Sequence, residues 1–252
     1  MALKYNREIM AQLNLGAQDS NPKHLNNVLE DLGPLFHSFE LFGVSNQQLP
    51  AFVTNQKAKE PIIRAYIQYA IAKSRTSIAD PVTFTELFCA DGYYAMVARL
   101  LGASQSCGID NGKDGLFEPA PRIPSRLGLD QVDFLRMEAN DIDHLPPVDI
   151  VANLGGLYHV SNPREILEKS YRMARRYLII QSVVSMVNDD DDYFEEPAPG
   201  WTWGCRFSRS SFLKMIGELK YDVVDTHFNE LEGNDRAEDR GSVYLLVRKP
   251  FV

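Results

Sequence analysis

Carboxylates and aromatics at the ends of strand-like runs are the residues best placed to do chemistry. Glu86 and Asp110 stand 110 − 86 = 24 residues apart and bracket a small, turn-forming tetrad, Cys89-Ala90-Asp91-Gly92, which runs into a helical stretch, Tyr93 to Leu101. A strand, a tight turn and a helix in that order aim the free N–H groups of the helix at whatever lies above the strand. An acid that closes the next strand, about 20 residues on, is where nucleotide-binding folds hold a ribose. The pattern suits an adenosine-bearing cofactor. It leaves open a plain structural turn at Glu86 and Gly92, and a solvated turn acid at Asp110 ahead of Asn111-Gly112.

A second constellation lies in VDIVANLGGLYHVSNPREIL, residues 148–167. A strand delivers Asn153-Leu154 to a sheet edge, Gly155-Gly156 allow a sharp turn, and Tyr158 and His159 are presented before Pro163 restarts a helix. With an ordinary pKa of about 6.5, His159 can take a hydroxyl proton at neutral pH, although a packed histidine bonded to a backbone carbonyl reads equally well. A third group falls between 188 and 209. Trp201 and Trp203 are the only tryptophans of the chain, and Tyr193, Phe194, Arg206 and Phe207 flank them. Aromatics beside a cation suit a sugar, an aromatic ring or an acyl chain carrying an acid; a loop anchored by buried indoles is the competing reading. Asp189 to Asp192 reads as a solvated acidic loop, and no metal is expected because no spaced third ligand accompanies it. Arg236 and Arg240 could reach over a cleft or form surface ion pairs.

The elements that must position these groups alternate strand and helix, the pattern of a parallel sheet covered on both faces. Strands are expected at 83–88, 105–110, 132–137, 148–154, 177–184, 221–228 and 242–248, with helices at 92–102, 119–127, 162–176 and 208–219. The polar link 229–241 reads as a hairpin, so the last strand should run antiparallel. Ahead of the sheet, residues 1–80 read as a helical cap with helices at Leu3–Leu15, from Asn21-Pro22 to Gly33-Pro34, and at 58–74; residues 81–252 form the main domain.

Composition narrows the function. The 252 residues are 44% hydrophobic, enough for a full core, and carry a net charge of −8 without a long basic run, which disfavours a nucleic-acid partner. Cys89, Cys107 and Cys205 form no CxxC pair and suit a reducing, cytoplasmic setting. No apolar run approaches the roughly 18 to 20 residues of a membrane span.

Seven strands ending in a hairpin, an acid before a turn at Glu86 to Gly92, and Asp110 at the end of the second strand together resemble class I S-adenosylmethionine (SAM) methyltransferases, over residues 83–250. The resemblance implies a seven-stranded Rossmann-like α/β sheet with an antiparallel last strand, an N-terminal helical cap, and SAM as cofactor. It places Glu86, Phe88, Ala90 and Gly92 along the cofactor turn, with Phe88 and Ala90 where the family has glycines. It gives Asp110 the ribose hydroxyls, Asp141 the adenine amino group and Ile142 a backbone N–H for the ring, and it sets Leu154 and Tyr158 beside the transferred group. Gly-x-Leu-Tyr-His at 155–159 is similar to the subgroup that holds the tRNA wobble-uridine carboxymethyltransferases. That subgroup needs an indole and cations for an extra carboxylate. Residues 40–80 have no Trp and offer Lys57, Lys59, Arg64, Lys73 and Arg75. Plain SAM and O-methylation of a small molecule, a sugar or natural-product hydroxyl, is therefore the expected function, with His159 and Tyr158 catalytic and Trp201, Trp203 and Arg206 on the acceptor. The alternatives are tRNA wobble-uridine modification with SAM or carboxy-SAM, and a non-catalytic SAM-binding regulatory or partner subunit.

Overall fold

The computed structural model describes residues 27–77, 79–198 and 204–250. The helix expected at Leu3–Leu15, the start of the next one, and Trp201 and Trp203 lie outside those residues. Strands β1 (Thr83–Leu87), β2 (Gln105–Asp110), β3 (Val132–Arg136), β4 (Val148–Leu154), β5 (Ala174–Val184), β8 (Asp222–Glu230) and β9 (Gly241–Arg248) form one sheet in the order β3-β2-β1-β4-β5-β9-β8. β1 pairs in parallel with both β2 and β4, and β9 runs antiparallel to β5 and β8. The expected antiparallel last strand is present. A two-residue pair, β6 (Phe194–Glu195) with β7 (Arg206–Phe207), adds a hairpin above the sheet.

The strand order reverses at β1. The chain builds outward through β2 and β3, then returns to lay β4 on the other side of β1, which leaves a crevice beyond the carboxyl ends of these strands where ligands of open α/β sheets bind. Leu87 pairs with Ile109 on one side and Asn153 on the other, so the turns after β1, β2 and β4 open together at that edge.

Two layers close the sheet. One face is covered by α1 (Val53–Ser74), α2 (Tyr93–Leu100) and the segment that precedes α1; Leu29, Leu35, Phe39, Ile63 and Ile67 share a core with Phe84, Ile150, Ile179 and Tyr244. The described part of the N-terminal segment is thus continuous with the sheet's own core. The other face is covered by α4 (Pro163–Met173) and α5 (Arg209–Glu218), which bury Ile166, Leu167, Phe212 and Ile216 against Val151, Leu178 and Leu245. Buried positions of α4 recur every three or four residues, and Pro163 sits at its first turn, where no N–H is needed. Ser208 caps α5 by accepting from the Ser211 N–H at 2.9 Å.

Differences from the expected boundaries have local causes. α1 begins at Val53 rather than near residue 58 because the turn of Pro50–Phe52 feeds it directly. α4 stops at Met173 because Ala174 already pairs with Val148 of β4. The proline-broken stretch 119–127 gives a 3-10 turn, Ala120–Arg122, and one helical turn, α3 (Ile123–Arg126).

Gly92 ends the turn after β1 with φ of 77°, and an added Cβ would stand 2.1 Å from the Phe134 ring. Gly92→Ala is expected to cost about 2 to 4 kcal/mol, combining a left-handed alanine with overpacking. Urea denaturation checks this; an unchanged midpoint would show that Phe134 moves aside freely.

Candidate cofactor and acceptor site

The turn that links β1 to α2 is held from three sides by carboxylates. Glu86, fully buried at the end of β1, accepts from the Ala95 N–H of α2 at 2.7 Å. Asp110 reaches back from β2 and accepts from the Ala90 N–H at 3.0 Å, and its second oxygen accepts from Gly112 N–H at 2.8 Å. Asp91 turns the other way: its two oxygens meet the His37 ring Nδ1 at 2.6 Å and the His37 backbone N–H at 2.8 Å. Gripped in this way, the turn carries two non-glycine residues in the left-handed region, Phe88 at φ 60° and Ala90 at φ 46°, a conformation that costs about 1 to 2 kcal/mol per residue. Burial pushes the Glu86 carboxyl well up, against the Ala95 N–H, with Asp91 and Asp110 adding to the rise. Burial also raises Asp110, while the Gly112 and Ala90 N–H groups pull it back.

Asp110 faces a cleft walled by Leu87, Phe88, Ile109, Met137 and Val160 and edged by Asn111, Glu138 and Asn140; its enclosed part measures about 40 Å³ before it opens to solvent. The cleft therefore brings together Phe88 and Asp110 of the expected cofactor residues, with Glu86, Ala90 and Gly92 in the turn behind them. Asp141 is not among its lining residues. It is exposed, one residue beyond Asn140 in the 3-10 turn Ala139–His144, while the Ile142 side chain is fully buried in the core. Glu138 and Asn140 are the polar side chains at that end, and both already have partners: Glu138 pairs with Lys113 at 2.7 Å, and Asn140 accepts from Asn162 at 2.9 Å. Neither stood out in the sequence, because only the tertiary path of the chain after β3 brings them to the cleft.

Beyond β4, Leu154 is buried and Gly155 takes φ of 71°. The Phe88 ring lies against Gly156, where an added Cβ would stand 1.9 Å from it. At Gly155 the nearest groups are the Tyr158 hydroxyl and the Gln181 Oε1, each 3.6 Å from such a Cβ. The Tyr158 and His159 rings pack at 4.3 Å between centroids. Burial holds the Tyr158 hydroxyl well above its ordinary range. His159 is exposed to solvent, yet packing around its ring lowers its pKa, with Asp114 opposing and Lys59 adding to the fall. Gln181 is buried on β5, donates to the Ser242 hydroxyl at 2.9 Å, and leaves its Oε1 without a hydrogen-bond partner. Lys59 of α1 is the cation that the cap contributes. Its ammonium sits 6.0 Å from the Phe36 ring centroid and feels both Glu86 and His159.

Arg206, expected on the acceptor, is instead committed to structure. It is 3% exposed, donates to both oxygens of Asp239 at 2.8 and 3.1 Å, and donates to Glu195 at 2.7 Å. These bonds pin the β6–β7 hairpin to the turn between β8 and β9. A guanidinium buried in that pairing is not available to a substrate carboxylate. Arg240 likewise binds within its own turn, to the Asn234 carbonyl at 2.9 Å. In the acidic loop, Asp189 accepts from the Ser210 N–H at 3.1 Å and Lys214 pairs with Asp192 at 2.5 Å, so these acids brace the start of α5. A cavity of about 630 Å³ between α4, α5 and the acidic loop shares no lining residue with the Asp110 cleft.

No protein-family model matches the sequence, and no similar curated protein is found. Solved structures do share the fold. The N-terminal domain of EvdMO1, crystallised with S-adenosylhomocysteine (SAH) and D-fucose, is 14% identical with a TM-score of 0.61, over 92% of this chain and 98% of that one. Magnesium protoporphyrin IX methyltransferase (ChlM) from Synechocystis PCC 6803 with bound SAM is 13% identical with a TM-score of 0.57, over 92% and 99%. The [4+2]-cyclase SpnF is 17% identical with a TM-score of 0.55, over 74% and 81%. The chain has the seven-stranded Rossmann-like fold of the SAM-dependent methyltransferases. The cyclase among these structures shows that the fold does not dictate the reaction.

Burial lowers Lys59 from its ordinary 10.5 to about 8, with Glu86 opposing. The unfolded chain then binds more protons than the folded one between these values, so this residue makes stability rise with pH across the window from about 8 to 10.5. Lys59→Met should therefore raise the Tm at pH 7, and the gain should fade as the pH passes 10.5. A Tm that drops at pH 7, or a gain that does not change with pH, would contradict the buried setting of this amine.

Proposed function

We propose that the chain binds SAM in the Asp110 cleft and methylates an oxygen of a small molecule. The observation that supports it most is Asp110 itself: a half-buried acid at the end of β2, beside the strand-order reversal, tied to the turn through Ala90 and to Gly112. Each carboxylate oxygen accepts one N–H and keeps a lone pair for a further donor, the donor set that two ribose hydroxyls require. The apolar walls at Leu87, Ile109, Met137 and Val160 suit a purine, and Asn111 and Asn140 offer amides at its rim. In chemistry the residues fit the adenosine end. In size they fit once the Phe88 ring or the cleft mouth opens, since the enclosed volume of about 40 Å³ is little more than the roughly 30 Å³ share of one water.

When bound, the cofactor supplies a methyl group on a cationic sulfur. The chain's part is alignment, which can carry much of the barrier reduction of a transfer between two bound partners. Asp110 fixes the ribose, the backbone after Asn140 meets the base, and the turn Leu154–Gly156 sets the face on which Tyr158 and His159 receive an acceptor. His159 is neutral at pH 7 and its enclosure makes it a weak proton acceptor, whereas the Lys59 amine, brought down to about 8 by burial, is better matched to take a hydroxyl proton from its Nζ position.

A small acceptor is favoured over RNA because the chain carries a net charge of −8 and gives a polyanion no electrostatic footing. Carboxymethyl transfer to a tRNA uridine has no indole in residues 40–80 to support it. EvdMO1 crystallised in the presence of D-fucose and ChlM, a magnesium protoporphyrin IX methyltransferase, keep sugars and larger rings in view. A second reading, a SAM-binding subunit without transferase activity, is favoured by one observation, the Phe88 ring seated on Gly156.

Calorimetric titration with SAM and SAH tests the cofactor assignment, and saturable binding of both is expected. Asp110→Ala should weaken SAH binding by about 1 to 3 kcal/mol by leaving buried hydroxyls unpaired. No heat with the wild-type chain would remove the assignment; unchanged affinity of the variant would place the ribose elsewhere. Transfer of labelled methyl groups to hydroxylated acceptors separates the enzyme from the silent binding subunit.

A further inference from the structure

Phe88 is the residue of the site that its surroundings explain least. A phenylalanine at φ 60° is unfavourable, and glycine would adopt that backbone at no steric cost. Bulky residues persist in such conformations where the surrounding structure over-determines them, which happens at functional sites. Here the surroundings do so: the Ala90 N–H is held by Asp110, the Ala95 N–H by Glu86, and Gly156 leaves its own side-chain space to the ring. The ring is only half-buried and forms one wall of the Asp110 cleft. It therefore stands between the Asp110 cleft and the Leu154–Gly156 turn, the span that the proposed cofactor would bridge.

We infer that Phe88 is a specificity-determining residue whose ring, lying along the cofactor's path at Gly156, favours the cationic sulfonium of SAM over the neutral thioether of SAH. The inference rests on the cofactor reading above. The face of an aromatic ring attracts a cation more strongly than a neutral thioether, and only the cation's attraction depends strongly on the ring's negative face. Asp110, which lines the same cleft, also favours a cation, so the ring's share must be isolated. The consequence is a site that binds substrate cofactor and releases spent cofactor, without a catalytic role for the ring.

The test replaces Phe88 by mono-, di- and trifluorinated phenylalanine, which drains the ring's negative face while keeping its shape, and measures the Kd of SAM and of SAH by calorimetry. The SAM Kd should rise stepwise by about 3- to 10-fold across the series, with the SAH Kd within about 2-fold. A flat SAM series, or SAM and SAH rising in parallel, would overturn the inference. Phe88→Gly provides a second arm, in which the preference for SAM should fall. If both ligands instead bind more tightly by the same factor, the ring is only an obstruction and the inference fails. Absence of binding by the unmodified chain would show a different failure, that of the cofactor reading itself.

Discussion

The bond from the Ala90 N–H to Asp110 is the contact on which the rest of the site depends. It ties the turn after β1 to the end of β2 and helps to hold Phe88 and Ala90 in left-handed conformations. Two more carboxylates complete the grip, Glu86 on the start of α2 and Asp91 on His37 of the N-terminal segment. A turn of five residues is thereby fastened to β2, to α2 and to the segment that precedes α1. Such a turn can keep N–H groups and an aromatic ring aimed at one place, as preorganised binding requires.

Gathering three acids in one turn has an electrostatic consequence. Asp91 and Asp110 add to the rise that burial gives the Glu86 carboxyl, so the edge of the sheet at β1 favours positive charge and hydrogen-bond donors. Lys59 enters the same region from α1, partly deprived of its own proton by burial. A donor-rich ribose at Asp110 and a cationic sulfur beyond it are the ligand features such a field would reward. Past Gly155, the Tyr158 hydroxyl and the unpartnered Gln181 Oε1 approach the same turn, where the proposed function sets the reaction face. The clamp of Arg206 on Asp239 and Glu195 holds the overlying loops in place. Breaking it would strand a buried charge, a loss of about 3 to 5 kcal/mol.

Much of this was legible in the sequence, and the parts that were not share a physical reason. The alternation of strands and helices and the antiparallel last strand follow from local periodicity and a hairpin link, whereas the order of the strands does not. The place of Asp110 at the sheet edge was legible because it depends on a strand end and a fixed offset. The left-handed Phe88 and Ala90 were not, since neither residue type advertises that backbone; only the absent glycines hinted at it. The His37–Asp91 clasp joins residues 54 apart with no shared motif, so no local pattern could reveal it. Arg206 looked like a substrate residue because aromatics flank it in sequence. Its partner Asp239 lies 33 residues on, and that distance hid the burial. Asp141 differs by a single position from Asn140, which lines the cleft, and the 3-10 turn decides which of the two faces it.

A crystal structure of the chain grown with SAH tests the central claim most directly, namely that the Asp110 cleft holds an adenosine. The ribose hydroxyls should meet both oxygens of Asp110, with the purine between Ile109 and the Met137–Asn140 segment and the Phe88 ring displaced or stacked along the ligand. Density for SAH in the 630 Å³ groove between α4 and α5, or none at Asp110 under saturating ligand, would contradict it.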